Sequence, residues 1–279
     1  MLTSRTAMNA PRFLYGTAWK EDATEQLTRL ALDAGFRGID TANQRKHYFE
    51  AGVGAAMAGA IADGVVRREE LFLQTKFTYQ HGQDERLPYD PNAGVGAQVR
   101  QSFASSLEHL RVEQIDSYVL HGPSRGRGLG QVDFEVWQAM EALHADGKTR
   151  FLGISNVSLE QLQLLCARVR VQPSFVQNRC YARTGWDAHV RAFCRERGIV
   201  YQGFSLLTAN VRELHAPAFR SIVARTERTP AQVVFRFALQ IGMLPLTGTT
   251  DPEHMREDLG ALDGFTLTDD EVATIERIA

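Results

Sequence analysis

Cysteine is scarce in this chain of 279 residues, and Cys166, Cys180 and Cys194 are an odd number with no Cys-x-x-Cys pair and no zinc-ligand spacing. That pattern argues against a disulfide framework and against a metal site, and leaves the thiols as small apolar core fillers. Long hydrophobic runs are missing too: nothing approaches the roughly 20 apolar residues that span a bilayer. The Met-Leu-Thr-Ser-Arg start has no apolar signal segment, so the expectation is a cytoplasmic protein without a membrane partner. Charge of one sign is also lacking. With 31 Lys and Arg against 33 Asp and Glu, the formal charge is -2, and no basic stripe invites nucleic acid. Small molecules are the expected partners.

Several catalytic signatures are absent. There is no His-Glu-x-x-His, no Walker A and no Gly-x-Ser-x-Gly, which removes support for metal-dependent hydrolysis, nucleotide hydrolysis and serine esterase chemistry. Gly52-Val53-Gly54 and the glycines at 126, 128 and 130 lack the Gly-x-Gly-x-x-Gly spacing of a dinucleotide-binding turn. No linker, internal repeat or low-complexity tract divides the chain.

What is present is a globular composition, 44% hydrophobic and 23% charged, which suits a single domain over residues 1–279 with a core large enough to need no staples. Strand-like runs recur at 13–15, 36–39, 71–75, 117–120, 151–154, 175–177, 200–204 and 244–247. Between them lie helical patterns, such as 24–34 with Leu27, Leu30, Ala31 and Ala34 on one face, and 99–110 with Val99, Phe103, Leu107 and Leu110. A closing helix is expected over 268–278, where Thr268 and Glu271 form a capping-box pattern. Trp137 and Trp186 fall in helical patterns as packing residues. Alternation of eight strands with helices in this length predicts an α/β fold, a (β/α)8 TIM barrel with its active site at the C-terminal ends of the strands. The polar, Gly- and Pro-broken stretch 81–92 reads as an irregular rim loop, either a solvated connector or a cover for substrate.

Three polar residues close three of these runs: Asp40, Lys76 and His121. In a parallel barrel their positions converge on one rim, so a carboxylate, an ammonium and an imidazole share a pocket. Pairing with Asp40 favours a protonated Lys76, and a held cation lowers the pKa of a neighbouring phenol from its free value of about 10. Tyr48, just after Asp40 in Gln44-Arg45-Lys46-His47-Tyr48, supplies the phenol and is a candidate general acid.

These motifs resemble the aldo-keto reductase family. The likeness rests on Gly35-Phe36-Arg37-Gly38-Ile39-Asp40-Thr41-Ala42 with Tyr48, Glu50 and Gly54, on Leu71-Phe72-Leu73-Gln74-Thr75-Lys76, and on Asp116-Ser117-Tyr118-Val119-Leu120-His121-Gly122-Pro123. It continues through Gly153-Ile154-Ser155-Asn156, Val176-Gln177-Asn178 and Leu246-Thr247-Gly248-Thr249-Thr250, from about residue 12 onward and in the family's order. The resemblance implies reduction of small aldehydes or ketones, or oxidation of the alcohols, with a nicotinamide coenzyme and a tetrad of Asp40, Tyr48, Lys76 and His121. In that reading Tyr48 protonates the carbonyl oxygen, Lys76 tunes the phenol, Asp40 holds Lys76 and His121 orients the carbonyl. The resemblance further implies that Ser155, Asn156 and Gln177 bind the nicotinamide carboxamide and that Phe204 stacks on its ring. Ser205 and Leu207 would contact the pyrophosphate, Glu257 and Asp258 would lie near adenine, and Gly16, Thr17 and Ala18, matching the first strand end, would line the coenzyme site. Trp19 would wall the substrate pocket, and Phe204 also reads as a barrel filler.

Two departures stand out. The family's spacing places the tyrosine five residues after the aspartate, where this chain has Arg45, while counting back three from Glu50 reaches His47. An insertion of two or three residues accounts for this and leaves Tyr48 or His47 as the proton donor, the other lining the substrate pocket. Second, the Lys or Arg that grips the ribose phosphate after the eighth strand is replaced by Gly248, Thr249 and Thr250, with His254 where Arg is common and Arg256 the nearest permanent cation. NADP(H) is the expected coenzyme, with NAD(H) as the alternative. A Schiff-base lyase using Lys76 and a nucleotide-sensing subunit with little turnover are the competing functions.

Overall fold

A computed structural model describes residues 10–279; the opening Met-Leu-Thr-Ser-Arg segment lies outside the described residues. The strands are β1 (Leu14–Gly16), β2 (Gly38–Asp40), β3 (Phe72–Phe77), β4 (Ile115–Leu120), β5 (Thr149–Ser155), β6 (Phe175–Arg179), β7 (Val200–Phe204) and β8 (Leu244–Thr247). All pair in parallel, in sequence order, and β8 closes on β1. The intervening helices are α1 (Thr24–Ala34), α2 (Glu50–Ala62), α3 (Val95–Leu110), α4 (Gln131–Ala145), α5 (Leu159–Arg168), α6 (Ala188–Glu196), the pair α7 (Pro217–Thr226) and α8 (Pro230–Gln240), then α9 (Pro252–Leu259) and α10 (Asp269–Glu276) after the last strand. The expected (β/α)8 barrel is therefore present. Among the described residues no helix is long and apolar enough to cross a membrane.

Local chemistry explains the helix ends. Gly35 closes α1 at φ 113°, a left-handed conformation that costs glycine least. Thr229 and Thr268 each cap a helix through the side-chain oxygen and donate their backbone N–H to the side chains of Gln232 and Glu271, so α10 starts one residue later than expected, with Thr268 as its cap. Helix α3 begins at Val95 rather than 99, because its first turn is half exposed and carries no apolar stripe to announce it. Strand β3 continues one residue past Lys76, which places that side chain inside the barrel wall.

Residues two apart on a strand share a face, so each inward row can be followed from bottom to top. On β3 the row is Phe72, Gln74, Lys76; on β6 it is Phe175, Gln177, Arg179; on β7 it is Val200, Gln202, Phe204. Leu14, Phe72, Phe175, Val200 and Leu244 pack together and close the lower end. Above this plug the rows turn to amides and then to charge. Helix faces and outward strand residues form a second, larger apolar layer around the barrel.

Trp186 departs from its expected helical setting. It lies in the turn before α6 at φ 54°, fully buried, with its indole N–H donating to Ile275 O at 2.9 Å and its ring 5.1 Å from Phe237. The contact ties α10 to the barrel, which local periodicity cannot foresee. Trp137 is buried on α4 as expected, and the three cysteines are buried and free.

Gly54 on α2 meets the C-terminal end of α3, where a Cβ would sit 2.1 Å from His109 O. Helix propensity alone would favour alanine there by about 1 kcal/mol. Overpacking against unyielding backbone costs about 1–3 kcal/mol, so the clash wins. Gly54→Ala should lower the urea midpoint of unfolding; an unchanged or higher midpoint would contradict the close approach of α2 and α3.

Candidate active site

The upper end of the barrel is built around Asp40 and Lys76, both almost wholly buried. Lys76 Nζ donates to Asp40 Oδ1 and Oδ2 at 2.8 Å each and to Thr41 O at 2.7 Å. Three acceptors match the three hydrogens of an ammonium. Asp40 Oδ1 also accepts from the amide nitrogens of Gln74 at 2.7 Å and Gln177 at 3.0 Å. Gln202 completes this layer by exchanging amide bonds with Gln74, and Ser117 donates to Gln74 Oε1. The ion pair thus rests on a floor of interlocked amides, which the sequence reading did not assign. The only hint was a glutamine on β3, β6 and β7 in strands otherwise apolar below.

Tyr48 stands at the end of the β2–α2 loop. A tight turn, in which His47 N and Tyr48 N both donate to Gln44 O, absorbs the inserted residues. Asn43 Nδ2 anchors the loop to Ser102 O at 2.9 Å, and Gln44 Nε2 anchors it to Gly82 O at 2.5 Å. The Tyr48 ring lies 5.2 Å from Lys76 Nζ and 5.9 Å, edge to face, from His121. Among the described residues no protein group hydrogen-bonds its hydroxyl. His47 instead stacks on Trp19 at 3.8 Å, its Nδ1 3.0 Å from Gln44 Oε1. Of the two candidate donors, the geometry brings Tyr48 to the ammonium and the imidazole.

The electrostatics differ from the sequence expectation in one respect. Burial pushes the Lys76 ammonium below the ordinary lysine range, with Asp40 restoring part of the loss. The Tyr48 phenol is held above its ordinary value, first by loss of water and then by Asp40. The expected lowering by Lys76 does not prevail, because loss of water at the ring raises the phenol first and Asp40 adds to that rise. His121 is pushed down to about 3 by burial, then by Lys76 and His47, and is therefore neutral at physiological pH. Its Nδ1 lies 2.7 Å from Thr78 Oγ1, and its backbone oxygen accepts from Asn156 Nδ2 at 2.8 Å.

From these residues a groove of about 1170 Å3 runs outward across β7 and β8 to the start of α8 and the face of α9. Gly16, Ala18, Trp19, Asp40, Tyr48, His121, Ser155, Asn156, Gln177, Phe204, Ser205, Leu207, Gly248, Thr249, Thr250, His254, Glu257 and Asp258 all line it. Trp19 is 70% exposed at its edge. Thr17 does not fit its expected place. It is fully buried, its hydroxyl donating to Asp40 O at 3.0 Å, because it faces the opposite side of the chain from Gly16 and Ala18. Ser155 Oγ donates to Gln177 O at 2.6 Å, and the Gln177 amide nitrogen is committed to Asp40 and Gln202. Asp258 accepts from Thr247 Oγ1 at 2.7 Å, and burial raises its pKa to about 6.

Sequence reasoning overlooked several lining residues. Lys20 is buried in the groove, donating to Gly248 O at 2.7 Å, and desolvation lowers its pKa to about 8. Arg179, at the end of β6, and Arg220, on α7, also line the groove, whereas Arg256 does not take the place expected for the nearest permanent cation. The outer end is completed by Thr229, Pro230 and Ala231 of α8, held against α9 by Gln232 Nε2 donating to Glu257 O at 3.0 Å. A single cation following Trp19, or one Arg in an exposed helix, carries no distinguishing signal. The 81–92 stretch contributes a short 3-10 turn, Gln80–Gly82, and packs on the rim rather than over the groove: Tyr89 donates to Thr78 O at 2.8 Å and Gln83 to Asn43 O at 2.9 Å.

Lys20 is a buried ammonium lining this groove, and among the described residues the Gly248 carbonyl is its one hydrogen-bond partner, a setting that suits an anionic ligand. Comparison with known proteins agrees. A model of the Aldo/keto reductase family matches residues 13–279. An aldo-keto reductase of Mycolicibacterium vanbaalenii is 31% identical over 259 residues, covering 91% of this chain and 82% of the relative. Aldo-keto reductase family 4 member C11 of Arabidopsis thaliana is 30% identical over 250 residues, covering 83% and 74%. The crystal structure of a Bombyx mori aldo-keto reductase in complex with NADP is similar with a TM-score of 0.80 at 25% identity, covering 96% of this chain and 89% of that one. By the extent of these matches, on a barrel whose rim gathers a carboxylate, an ammonium, a phenol and an imidazole, the chain belongs to the aldo/keto reductase family of NAD(P)H-dependent oxidoreductases.

Proposed function

We propose that this protein reduces the carbonyl group of small aldehydes or ketones with NADPH, or oxidises the corresponding alcohols, using Tyr48 as the general acid. The observation that carries this reading is the setting of Tyr48: its ring lines the groove within 5.2 Å of Lys76 Nζ and 5.9 Å of the His121 ring, and no described protein group hydrogen-bonds its hydroxyl. Reduction of a carbonyl builds negative charge on oxygen, and a donor already aimed at that oxygen stabilises the charge without reorganisation. A phenol held above its ordinary pKa keeps its proton at neutral pH and so stands ready to give it. Lys76 supplies the nearby positive charge that favours the departing proton's phenolate, and Asp40 with its amide floor keeps the ammonium in place. His121, neutral, contributes a second hydrogen bond to the same oxygen.

When bound in the groove, the reduced nicotinamide supplies the hydride. Phe204 would offer it an aromatic face, Ser155 and Asn156 would offer polar groups, and Lys20 with the Ser205 and Leu207 segment would hold the pyrophosphate. Arg220, His254, Thr249 and Thr250 also line the groove and would offer charge and donors to a ribose phosphate. A single permanent cation on a helix face is a weaker grip than a lysine in the β8 loop, so modest selectivity over NADH is expected.

The lyase alternative loses support from Lys76 itself, whose nitrogen is wholly enclosed and bonded to three acceptors. A non-catalytic sensor would follow if the inserted residues carried the tyrosine away from Lys76, and the turn on Gln44 that keeps its ring near the ammonium supports the catalytic reading instead.

Tyr48→Phe should lower kcat by about 10²–10⁴-fold, the usual contribution of a general acid, while coenzyme affinity measured by fluorescence stays within about twofold. Retention of most of the turnover would refute the assignment. Lys20 gives a pH dependence. With its pKa lowered to about 8, it is charged below that pH and neutral above it, and an anionic ligand restores the proton only at a cost. Coenzyme affinity should therefore fall as pH rises through about 8, and Lys20→Met should bind more weakly at pH 7 and lose that dependence. An unchanged titration in the variant would remove Lys20 from the phosphate path.

A further inference from the structure

His121 can orient a carbonyl only if its hydrogen is on the ring nitrogen that faces the groove. A neutral imidazole carries one N–H, and which nitrogen bears it is set by the partner of the other. Strands β3 and β4 run side by side, and His121 N continues their ladder by donating to Phe77 O at 2.9 Å. That bond places Thr78 level with His121, and Thr78 Oγ1 lies 2.7 Å from Nδ1.

Two arrangements fit this distance. If Nδ1 carried the hydrogen, it would donate to Thr78 and leave the threonine hydroxyl hydrogen without an acceptor, since among the described residues no other acceptor lies within reach of Oγ1. Thr78 is only 6% exposed, and a polar hydrogen left unpaired in such a place keeps the full penalty of its lost hydration. If the hydroxyl donates to Nδ1, both groups are satisfied and the hydrogen of the ring must be on Nε2, the nitrogen left for a ligand beside Tyr48. The hydroxyl is also held in direction. Thr78 is β-branched, which restricts its χ1. Its carbonyl is gripped by the Tyr89 hydroxyl at 2.8 Å and Gln83 Nε2 at 3.4 Å, and its methyl fills the space that a Cβ on Gly82 would need.

We propose that Thr78 is a positioning residue that fixes His121 with its hydrogen on Nε2, and that the anchored 81–92 loop serves the reaction by holding Thr78 rather than by covering substrate. The inference rests on the reading of His121 as a donor to the carbonyl oxygen, but the tautomer is measurable without any substrate. In protein labelled with 15N-histidine, with the His121 signals assigned through His121→Gln, the wild-type ring should show a protonated Nε2 and an unprotonated Nδ1. Thr78→Val, which keeps the shape and removes the hydroxyl, should shift the ring toward a mixture of tautomers. It should also lower kcat about tenfold or more, with coenzyme affinity within about twofold of wild type. Thr78→Ser should restore both the NMR pattern and the turnover, which separates loss of the hydroxyl from damage to the fold. A wild-type ring protonated on Nδ1 overturns the proposal. So does a Thr78→Val variant in which either the tautomer or kcat stays at the wild-type value, or a Thr78→Ser variant that restores neither. Absence of turnover in the wild-type protein, with the expected tautomer present, would count against the reductase reading alone.

Discussion

The buried contact between Asp40 and Lys76 is the constraint to which the rest of the site answers. Removing both charges from water costs several kcal/mol apiece, and their attraction compensates only when the remaining hydrogen-bonding capacity is also met. Here it is met from below by Gln74 and Gln177 on the carboxylate and from the side by Thr41 O on the ammonium. Each of these partners comes from a different strand or strand end. The pair therefore exists only when the barrel is closed in its observed register, with Asp40 beside Gln74 and Ser155 beside Gln177.

That arrangement divides the barrel interior into zones with different solvent character. The lower plug of Leu14, Phe72, Phe175, Val200 and Leu244 excludes water. The amide layer above it can accept a charge without exposing it. The rim then presents groups whose proton states follow from what lies underneath: a phenol that retains its hydrogen and an imidazole that remains neutral. Water-poor surroundings are the first cause of both, with Asp40 adding to the rise at the phenol and Lys76 to the fall at the imidazole.

Much of this was legible from local pattern. Eight strand-like runs with intervening helical periods specify a parallel barrel, and a polar residue at the end of an apolar run stands out because little else explains it there. Asp40, Lys76 and His121 were visible for that reason, while Ser155 and Asn156 followed from the family resemblance. Lys20 and Arg220 were not, since a cation next to a strand end or on a helix face is ordinary until a groove is seen to pass it. Thr17 was misplaced because side-chain direction at a strand end depends on the turn that follows. Trp186 was assigned to a helix because its partners, Phe237 and Ile275, are distant in sequence.

The sequence by itself determined the class of fold, the family and the set of groups available at the rim, since these follow from periodicity and from motifs in order along the chain. Only the tertiary structure decided which of two neighbours, Tyr48 or His47, meets the ammonium, because that choice depends on a turn closed by Gln44 and anchored on Ser102 and Gly82, residues from other loops and helices. It also decided the proton states of the site. A pKa is set by the water and charge within a few ångströms, and those neighbours are assembled from strands that the linear chain keeps far apart.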